Sequence, residues 1–122
     1  MTMAPLLTDR AALACHRGRA MAMQAPATFL HDFAIAEVQE RLETVNRSFT
    51  APAVVTGFPA LWQAALPGAR VVDDAEVLDL APGAHDLVVH ALALHWANDP
   101  VGQIVQCRRA LRPDGLFMAL LF

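Results

Sequence analysis

The sequence predicts a single α/β domain in which a mostly parallel sheet is covered by helices on both faces, giving three layers. Short β-branched or apolar runs alternate with helix patterns that begin or end at Pro, Gly or Asp. This alternation is typical of strand–helix–strand units with right-handed crossovers. One run, DLVVHAL at residues 86–92, is apolar nearly throughout. Such a run indicates a central parallel strand that is covered on both sides.

The length and composition limit the number of domains and the class of protein. A chain of 122 residues is long enough for one domain with its own core. The hydrophobic fraction of 56% excludes a largely disordered polypeptide, because enough apolar surface is present to offset the chain entropy. We expect one domain over residues 1–122, with N-terminal helices over 1–50 and an incomplete sheet over 51–122.

The charge and the cysteine content argue against several partners and sites. A net charge of -3 gives no overall positive field for nucleic acid or anionic lipid. Cys15 and Cys107 are far apart and have neither disulfide-framework nor zinc-ligand spacing. No apolar run reaches the roughly 18 residues of a membrane span, and residues 1–7 lack a secretory signal pattern. We therefore expect a cytoplasmic protein that binds neither nucleic acid nor membrane.

Two helices are expected before the sheet. Residues 8–23 are rich in Ala, Arg and Met, which favour a helix, and Pro26 ends this segment. The second helix is amphipathic, with Glu, Gln and Arg on its polar face. Its apolar residues recur at steps of three and four and are Ile35, Val38, Leu42, Val45 and Phe49. The breaker Ala51-Pro52 follows.

The first two strands are predicted on either side of a short helix. Residues 53–56 form a β-branched run that leads into Gly57, as expected of a buried strand that ends in a turn. Pro59 suits the first position of a helix over 60–66, which Pro67-Gly68 ends. Residues 70–73 are the second predicted strand.

A strand, a helix and a last strand complete the prediction. The apolar run at residues 86–92 is the third strand. Asp99-Pro100 supplies a cap and a first-turn proline for the next helix. We expect its inner side to carry Val101, Ile104, Val105 and Leu111. A turn at 113–115 then leads into a last buried strand over 116–122.

Two motifs in the second half of the chain resemble those of a known family. LHWAND occupies residues 94–99 and RALRPDG occupies 109–115. With the strand before them, they resemble the fourth-strand to fifth-strand region of class I S-adenosylmethionine-dependent methyltransferases, especially the biotin-pathway methyltransferases and complex I assembly factors. Residues 9–20 and 29–49 resemble the N-terminal helices of that group. The resemblance implies a Rossmann-like methyltransferase sheet and S-adenosylmethionine as cofactor.

The same resemblance implies where the cofactor would bind. Gly57 corresponds to the remnant of the family's glycine-rich loop, and Asp74 with Ala75 to the tail of its third strand, where an acidic side chain reaches the adenine amino group. Leu92 and His95 follow the fourth strand, at the edge where open α/β sheets bind ligands. The alternatives are a turn glycine at 57 and an ordinary strand-end carboxylate at 74. The resemblance assigns no catalytic residue.

Three histidines in the second half of the chain are candidates for metal ligands. His85, His90 and His95 are five residues apart, a spacing that does not bring side chains together on a strand or a helix. We therefore expect no metal site.

The sequence also departs from the family pattern. Gly57 is followed by Phe58 and by Pro59, which has no amide proton, in a place where the family needs bare backbone. The short step from Leu66 to Asp74 leaves no room for the family's second strand and its ribose-binding acid. These departures predict a methyltransferase-like protein with weak or lost catalysis, or alternatively a non-catalytic binding or assembly module.

The last residues predict a partner. Residues 116–122 are uncharged and apolar on both faces, and they end the chain where the family's sheet would continue. An open strand of this kind exposes backbone donors and acceptors that proteins normally cover. We therefore expect a homodimer, or another protein that covers this strand.

Overall fold

The computed structural model describes residues 6–22 and 29–121. In chain order, its elements are α1 (Arg10–Ala22), α2 (Phe29–Val45), β1 (Pro52–Thr56), α3 (Pro59–Ala65), β2 (Arg70–Val72), β3 (His85–Ala91), a 3₁₀ turn (Leu94–Trp96), α4 (Pro100–Ala110) and β4 (Leu111–Leu120). Every strand predicted from the sequence is present. Met23 and Pro26, which were expected to mark the end of the first helix, lie outside the described residues.

The four strands form one sheet in the order β2-β1-β3-β4, and every neighbouring pair is parallel. Val54 and Val89 face α2 and α3 on one side of the sheet. Val55 and Val88 face α4 on the other side. The three-layer α/β prediction is therefore confirmed, with each strand residue assigned to a face by the two-residue period of the strand.

β2 lies directly beside β1, with Val54 opposite Val71. In the doubly wound order of such sheets, the second strand pairs with the first and the third lies beyond the second. Here β2 takes the place beside β1, and within the described residues no strand lies beyond it. The sheet therefore has a shortened form, as the sequence predicts.

The amphipathic helix is α2, and it ends earlier than its pattern predicts. Asn46 takes a left-handed conformation, with φ at 56°, which ends the helix after Val45. Val38 is buried against the sheet, whereas Val45 is 38% exposed. Phe49 lies beyond the helix and packs against the core from the following segment. The expected inner face is therefore right at its centre and wrong at its C-terminal end.

α4 turns a different face to the sheet from the one that the sequence predicts. Asp99 caps the helix as expected, because its carboxylate accepts a hydrogen bond from the Gly102 amide at 3.0 Å. Leu111 packs against the core as expected, from the start of β4. The other three expected inner residues are wrong, however, since their side chains are exposed: Val101, Ile104 and Val105. The buried face carries Gln103, Cys107 and Ala110 instead.

Gln103 explains this orientation. Its side-chain oxygen lies 3.0 Å from Nε2 of the buried His90, and its amide donates to the Ala75 carbonyl at 2.8 Å. These hydrogen bonds satisfy polar groups that would otherwise be buried without partners, and an apolar side chain at this position could not replace them.

β4 begins directly after α4 and contains the predicted turn. Its pairing with β3 steps from Leu111 opposite His85 to Leu116 opposite Leu87, so β4 advances five residues while β3 advances two. The Pro113-Asp114-Gly115 turn lies within this irregularity. The regular part of the last strand starts at Leu116 as predicted, and Phe122 lies outside the described residues.

Candidate functional site

The candidate site lies at the carboxyl edge of the sheet, where three parallel strands end side by side. Gly57 follows β1, Asp74 follows β2, and Leu92 follows β3. Ligands of open α/β sheets bind at this edge, in the crevice outside the strand ends. The structure therefore brings together side chains that the sequence separates by up to 35 positions.

Asp74 is the most buried charged side chain at this edge, with 3% of the residue exposed. Arg17 of α1 approaches it with both terminal nitrogens, at 2.6 Å to Oδ1 and 3.0 Å to Oδ2. Arg10, two helical turns earlier, donates to the Asp74 carbonyl at 2.7 Å and lies 3.4 Å from its carboxylate. Two guanidinium groups of the chain itself therefore occupy the position that the resemblance assigns to adenine.

These contacts determine the protonation of the two neighbouring carboxylates. Burial raises the pKa of Asp74, but the hydrogen bonds from Arg17 and the positive charges of Arg17 and Arg10 outweigh it and hold this pKa below its ordinary value. Desolvation and the adjacent Asp74 raise the pKa of Asp73. Asp74 is therefore an ionised carboxylate with strong partners already in place.

Arg17 also covers Gly57. A Cβ atom built on Gly57 would overlap the Arg17 guanidinium. The absence of a side chain at this position therefore makes room for an arginine of α1. In addition to the two alternatives considered for Gly57, the glycine thus allows a close contact with an N-terminal helix.

The loop after Gly57 offers few free backbone donors. The Phe58 amide donates to Thr56 Oγ1 at 3.2 Å, and Pro59 has no amide proton. Phe58 itself lies against His31 of α2, with 4.6 Å between ring centroids. Contacts with Thr56 and His31 thus occupy the amide and the ring of Phe58.

The segment after Asp74 is held by α4 and by the turn before it. The Gln106 side chain accepts from the Leu78 amide at 2.7 Å and donates to the Glu76 carbonyl at 2.9 Å. Asn98 accepts the Leu7 and Thr8 amides, each at 2.7 Å, and donates to Glu76 Oε1 at 3.1 Å. Ala75, a predicted cofactor position, belongs to this clamped segment, where its carbonyl already accepts from α4.

Leu92 has an unusual backbone conformation at the end of β3. Its φ of 50° lies in the left-handed region, which costs a non-glycine residue about 1–2 kcal/mol. Its amide donates to the Leu120 carbonyl at 2.8 Å, which holds the strained residue in place. Strained residues of this kind concentrate at active sites and ligand-binding sites, which agrees with the choice of this edge as the candidate site.

Leu92 and His95 border a cavity of about 260 Å³ between α1 and α2. Arg17, His31 and Phe58 also line it. Burial and the positive charge of Arg17 lower the pKa of both His95 and His31. The cavity therefore contains neutral imidazoles beside a guanidinium that is already paired with Asp74.

The residues at this edge do not fit an adenosyl cofactor. Four of the five predicted positions meet here, at Gly57, Asp74, Leu92 and His95, while Ala75 is clamped by α4. The Asp74 oxygens are taken by guanidinium donors, and the open face of Gly57 is covered. Arg10 and Arg17 of α1 thus already contact the groups that the resemblance assigns to a cofactor.

Sequence reasoning missed the arginines that fill the site. Arg10 and Arg17 are seven residues apart, which places them on the same face of a helix two turns apart. That spacing was the available signal, but nothing local shows that this face meets a buried carboxylate more than fifty residues later.

Within residues 6–22 and 29–121, no three His, Cys, Asp or Glu side chains are grouped to hold a metal ion. No helix in that part of the chain is both long and apolar enough to cross a membrane.

Comparison with known proteins identifies the family. The family model described as "Methyltransferase domain" matches residues 32–119. The human protein named "Arginine-hydroxylase NDUFAF5, mitochondrial" is 32% identical over 80 residues, which cover 66% of this chain and 23% of that protein. "Malonyl-[acyl-carrier protein] O-methyltransferase" of Laribacter hongkongensis is 46% identical over 50 residues, covering 41% of this chain and 17% of that protein.

A solved structure shares the fold. A Thermotoga maritima protein described as a "SAM-dependent methyltransferase, possible histamine N-methyltransferase" superposes with a TM-score of 0.52 at 15% identity, covering 75% of this chain and 53% of that chain. The chain spans less than a quarter of the length of the curated relatives described above. From the family match over most of its length, the chain belongs to the methyltransferase domain family.

Proposed function

We propose that this chain is a methyltransferase-family domain in which methyl transfer is weak or lost, and that it acts as a binding or assembly module. The observation that supports this proposal best is the position of Arg17, which covers Gly57 and forms a two-pronged ion pair with Asp74. The chain retains the fold, while its own Arg17 occupies the carboxyl edge of the sheet, where the family would bind a cofactor.

The energetics favour the internal occupant over a cofactor. Adenine would offer Asp74 a neutral amine in exchange for hydrogen bonds from charged guanidinium groups. Hydrogen bonds in which both partners are charged are stronger than those with one charged partner. A cofactor would therefore have to displace the two ionic contacts of Arg17 with Asp74 in return for a weaker contact to the same carboxylate.

The sheet itself supports the same proposal. β2 takes the place beside β1, and within the described residues no further strand lies beyond it, so the sheet is one strand short on this side. Gly57 is followed by a hydrogen-bonded Phe58 and by Pro59, so this loop offers few amides to a ligand. The proposed loss of cofactor binding thus rests on several elements of the site and not on Arg17 alone.

Methyl transfer from S-adenosylmethionine is the second candidate function. The retained Gly57 and Asp74 and the strained backbone at Leu92 favour it, as does the family. The names of the relatives do not settle the activity, since one is called a methyltransferase and another an arginine hydroxylase. The filled cofactor edge leads us to prefer the non-catalytic module.

Calorimetric titration with S-adenosylhomocysteine tests the proposal. We expect no binding, or binding far weaker than micromolar, by the unaltered chain. A dissociation constant in the low micromolar range, about -8 kcal/mol, would contradict the proposal. Arg17→Ala tests the contribution of the arginine, with Arg19→Ala, an exposed position on the same helix, as the matched control. A gain of affinity in Arg17→Ala alone would show that Arg17 blocks the site.

A cytoplasmic location remains part of the proposal. It rests on the two cysteines, which are unpaired in the structure, with Cys15 exposed and Cys107 buried. Free thiols suit a reducing compartment. Fractionation of cells that express the chain would test the location.

A further inference from the structure

One face of α2 remains open to solvent. Its side chains recur every four residues, which places them along one stripe of the helix: Phe33, Glu37, Arg41 and Val45. We call these four residues the α2 stripe. Phe33 is 71% exposed and Val45 is 38% exposed. In the middle, Arg41 Nε donates to Glu37 Oε2 at 3.4 Å, and both side chains are accessible.

A groove runs beside the α2 stripe, between α2 and β4. Its larger part has a volume of about 590 Å³ and is lined on the strand side by Met118 and Leu120. It continues past Arg41 toward Val45 and Leu116. Among the described strands, β4 pairs only with β3. An apolar groove and the exposed Phe33 lie beside it. Large exposed apolar patches of this kind mark interaction surfaces.

The order of side chains in the α2 stripe indicates what covers it. Apolar, acidic, basic and apolar residues follow one another at equal steps, so the order is the same from either end except that the charges exchange. If two copies of α2 cross antiparallel about a two-fold axis midway between Glu37 and Arg41 on the stripe, Glu37 of each copy meets Arg41 of the other. Phe33 of each copy then meets Val45 of the other. A two-fold interface needs such self-complementarity, because the same patch serves both subunits.

We propose that the α2 stripe and the adjoining groove form the interface between two copies of this chain, related by a two-fold axis that passes between Glu37 and Arg41. The proposal rests on the assembly role proposed above and names the partner as a second copy. Phe33 of each copy packs toward the groove beside β4 of the other, so the dimer covers the apolar side chains that line this groove. The two charge pairs fix the antiparallel direction, since a parallel arrangement would place like charges together.

Sedimentation velocity on the full chain over a range of micromolar concentrations tests this interface. We expect the unaltered chain to sediment as a dimer. Glu37→Arg should raise the dimer dissociation constant by about 10- to 100-fold, because both symmetric pairs become repulsive. Glu37→Arg combined with Arg41→Glu restores the complementary order and should restore the dimer. Glu43→Arg makes the same charge change on the opposite, exposed face of α2 and should leave the dimer unchanged.

Phe33→Ser provides a variant whose fold is not at risk, since this side chain is largely exposed. It should weaken the dimer while leaving the circular dichroism spectrum unchanged. A monomer for the unaltered chain would overturn the proposal, and so would a dimer that is insensitive to Glu37→Arg or a double variant that stays monomeric. Titration with S-adenosylhomocysteine reports separately on Gly57 and Asp74 at the carboxyl edge of the sheet. A chain that dimerises and also binds this compound tightly would therefore refute only the non-catalytic function.

Discussion

Replacing Asp74 by Asn tests whether α1 is held on the sheet by charge. The substitution keeps the size of the side chain and removes its negative charge, leaving Arg17 and Arg10 beside a neutral amide. The Asp74 side chain is 2% exposed and that of Arg17 is 15% exposed, so solvent screens this pair poorly. Breaking a buried pair typically costs 3–5 kcal/mol. Because the arginines are partly accessible and the amide still accepts one hydrogen bond, we expect about 2–4 kcal/mol.

The assay is thermal unfolding as a function of pH. Near neutral pH the expected loss lowers the Tm by about 10 °C for a domain of this size. Since the pKa of Asp74 is lowered in the folded chain, its contribution is present above the unfolded value of about 4 and is lost as the pH falls through the lower folded value. The Tm difference between the two proteins should therefore be constant near neutral pH and should narrow in acid below about pH 4.

Asp73→Asn is the matched control, one residue earlier and exposed. Desolvation and the neighbouring Asp74 already disfavour the charged form of Asp73. Removing the charge of Asp73 should therefore change the free energy of unfolding by no more than about 0.5 kcal/mol. Equal effects of the two substitutions, or an Asp74→Asn difference that persists unchanged in strong acid, would refute the role of the arginine pair.

Two further outcomes are expected from the same structure. Gly57→Ala should cost about 1–3 kcal/mol by forcing Arg17 away, and should cost almost nothing in an Arg17→Ala background; equal costs in both backgrounds, measured by denaturant unfolding, would show that the two residues do not touch. Burial raises the pKa of the Cys107 thiol to about 11, so a thiol reagent at neutral pH should modify only the exposed Cys15 until denaturant is added; rapid native modification of both thiols would contradict the burial.

The sequence by itself determined the elements and most of their order. Strand residues such as Val54 and Val88 are fully buried, because apolar side chains without polar alternation need cover on both faces of a sheet. Asp99 caps α4 and Pro59 begins α3, since both effects act over a few neighbouring residues. The same local reasoning placed four predicted site residues at one edge, because parallel strands end together.

Only the tertiary structure decided which partners those residues have. The apolar pattern of α4 predicted the wrong inner face. Gln103 faces the sheet because it satisfies buried polar groups on β3 and in the loop after β2, and those groups lie far from α4 in the sequence. In the same way, the sequence did not predict that Arg10 and Arg17 of α1 bind Asp74, because α1 reaches this carboxylate only in the folded chain. Local patterns fix helices, strands and caps, whereas the pairing of a buried charge depends on contacts between residues far apart in the chain.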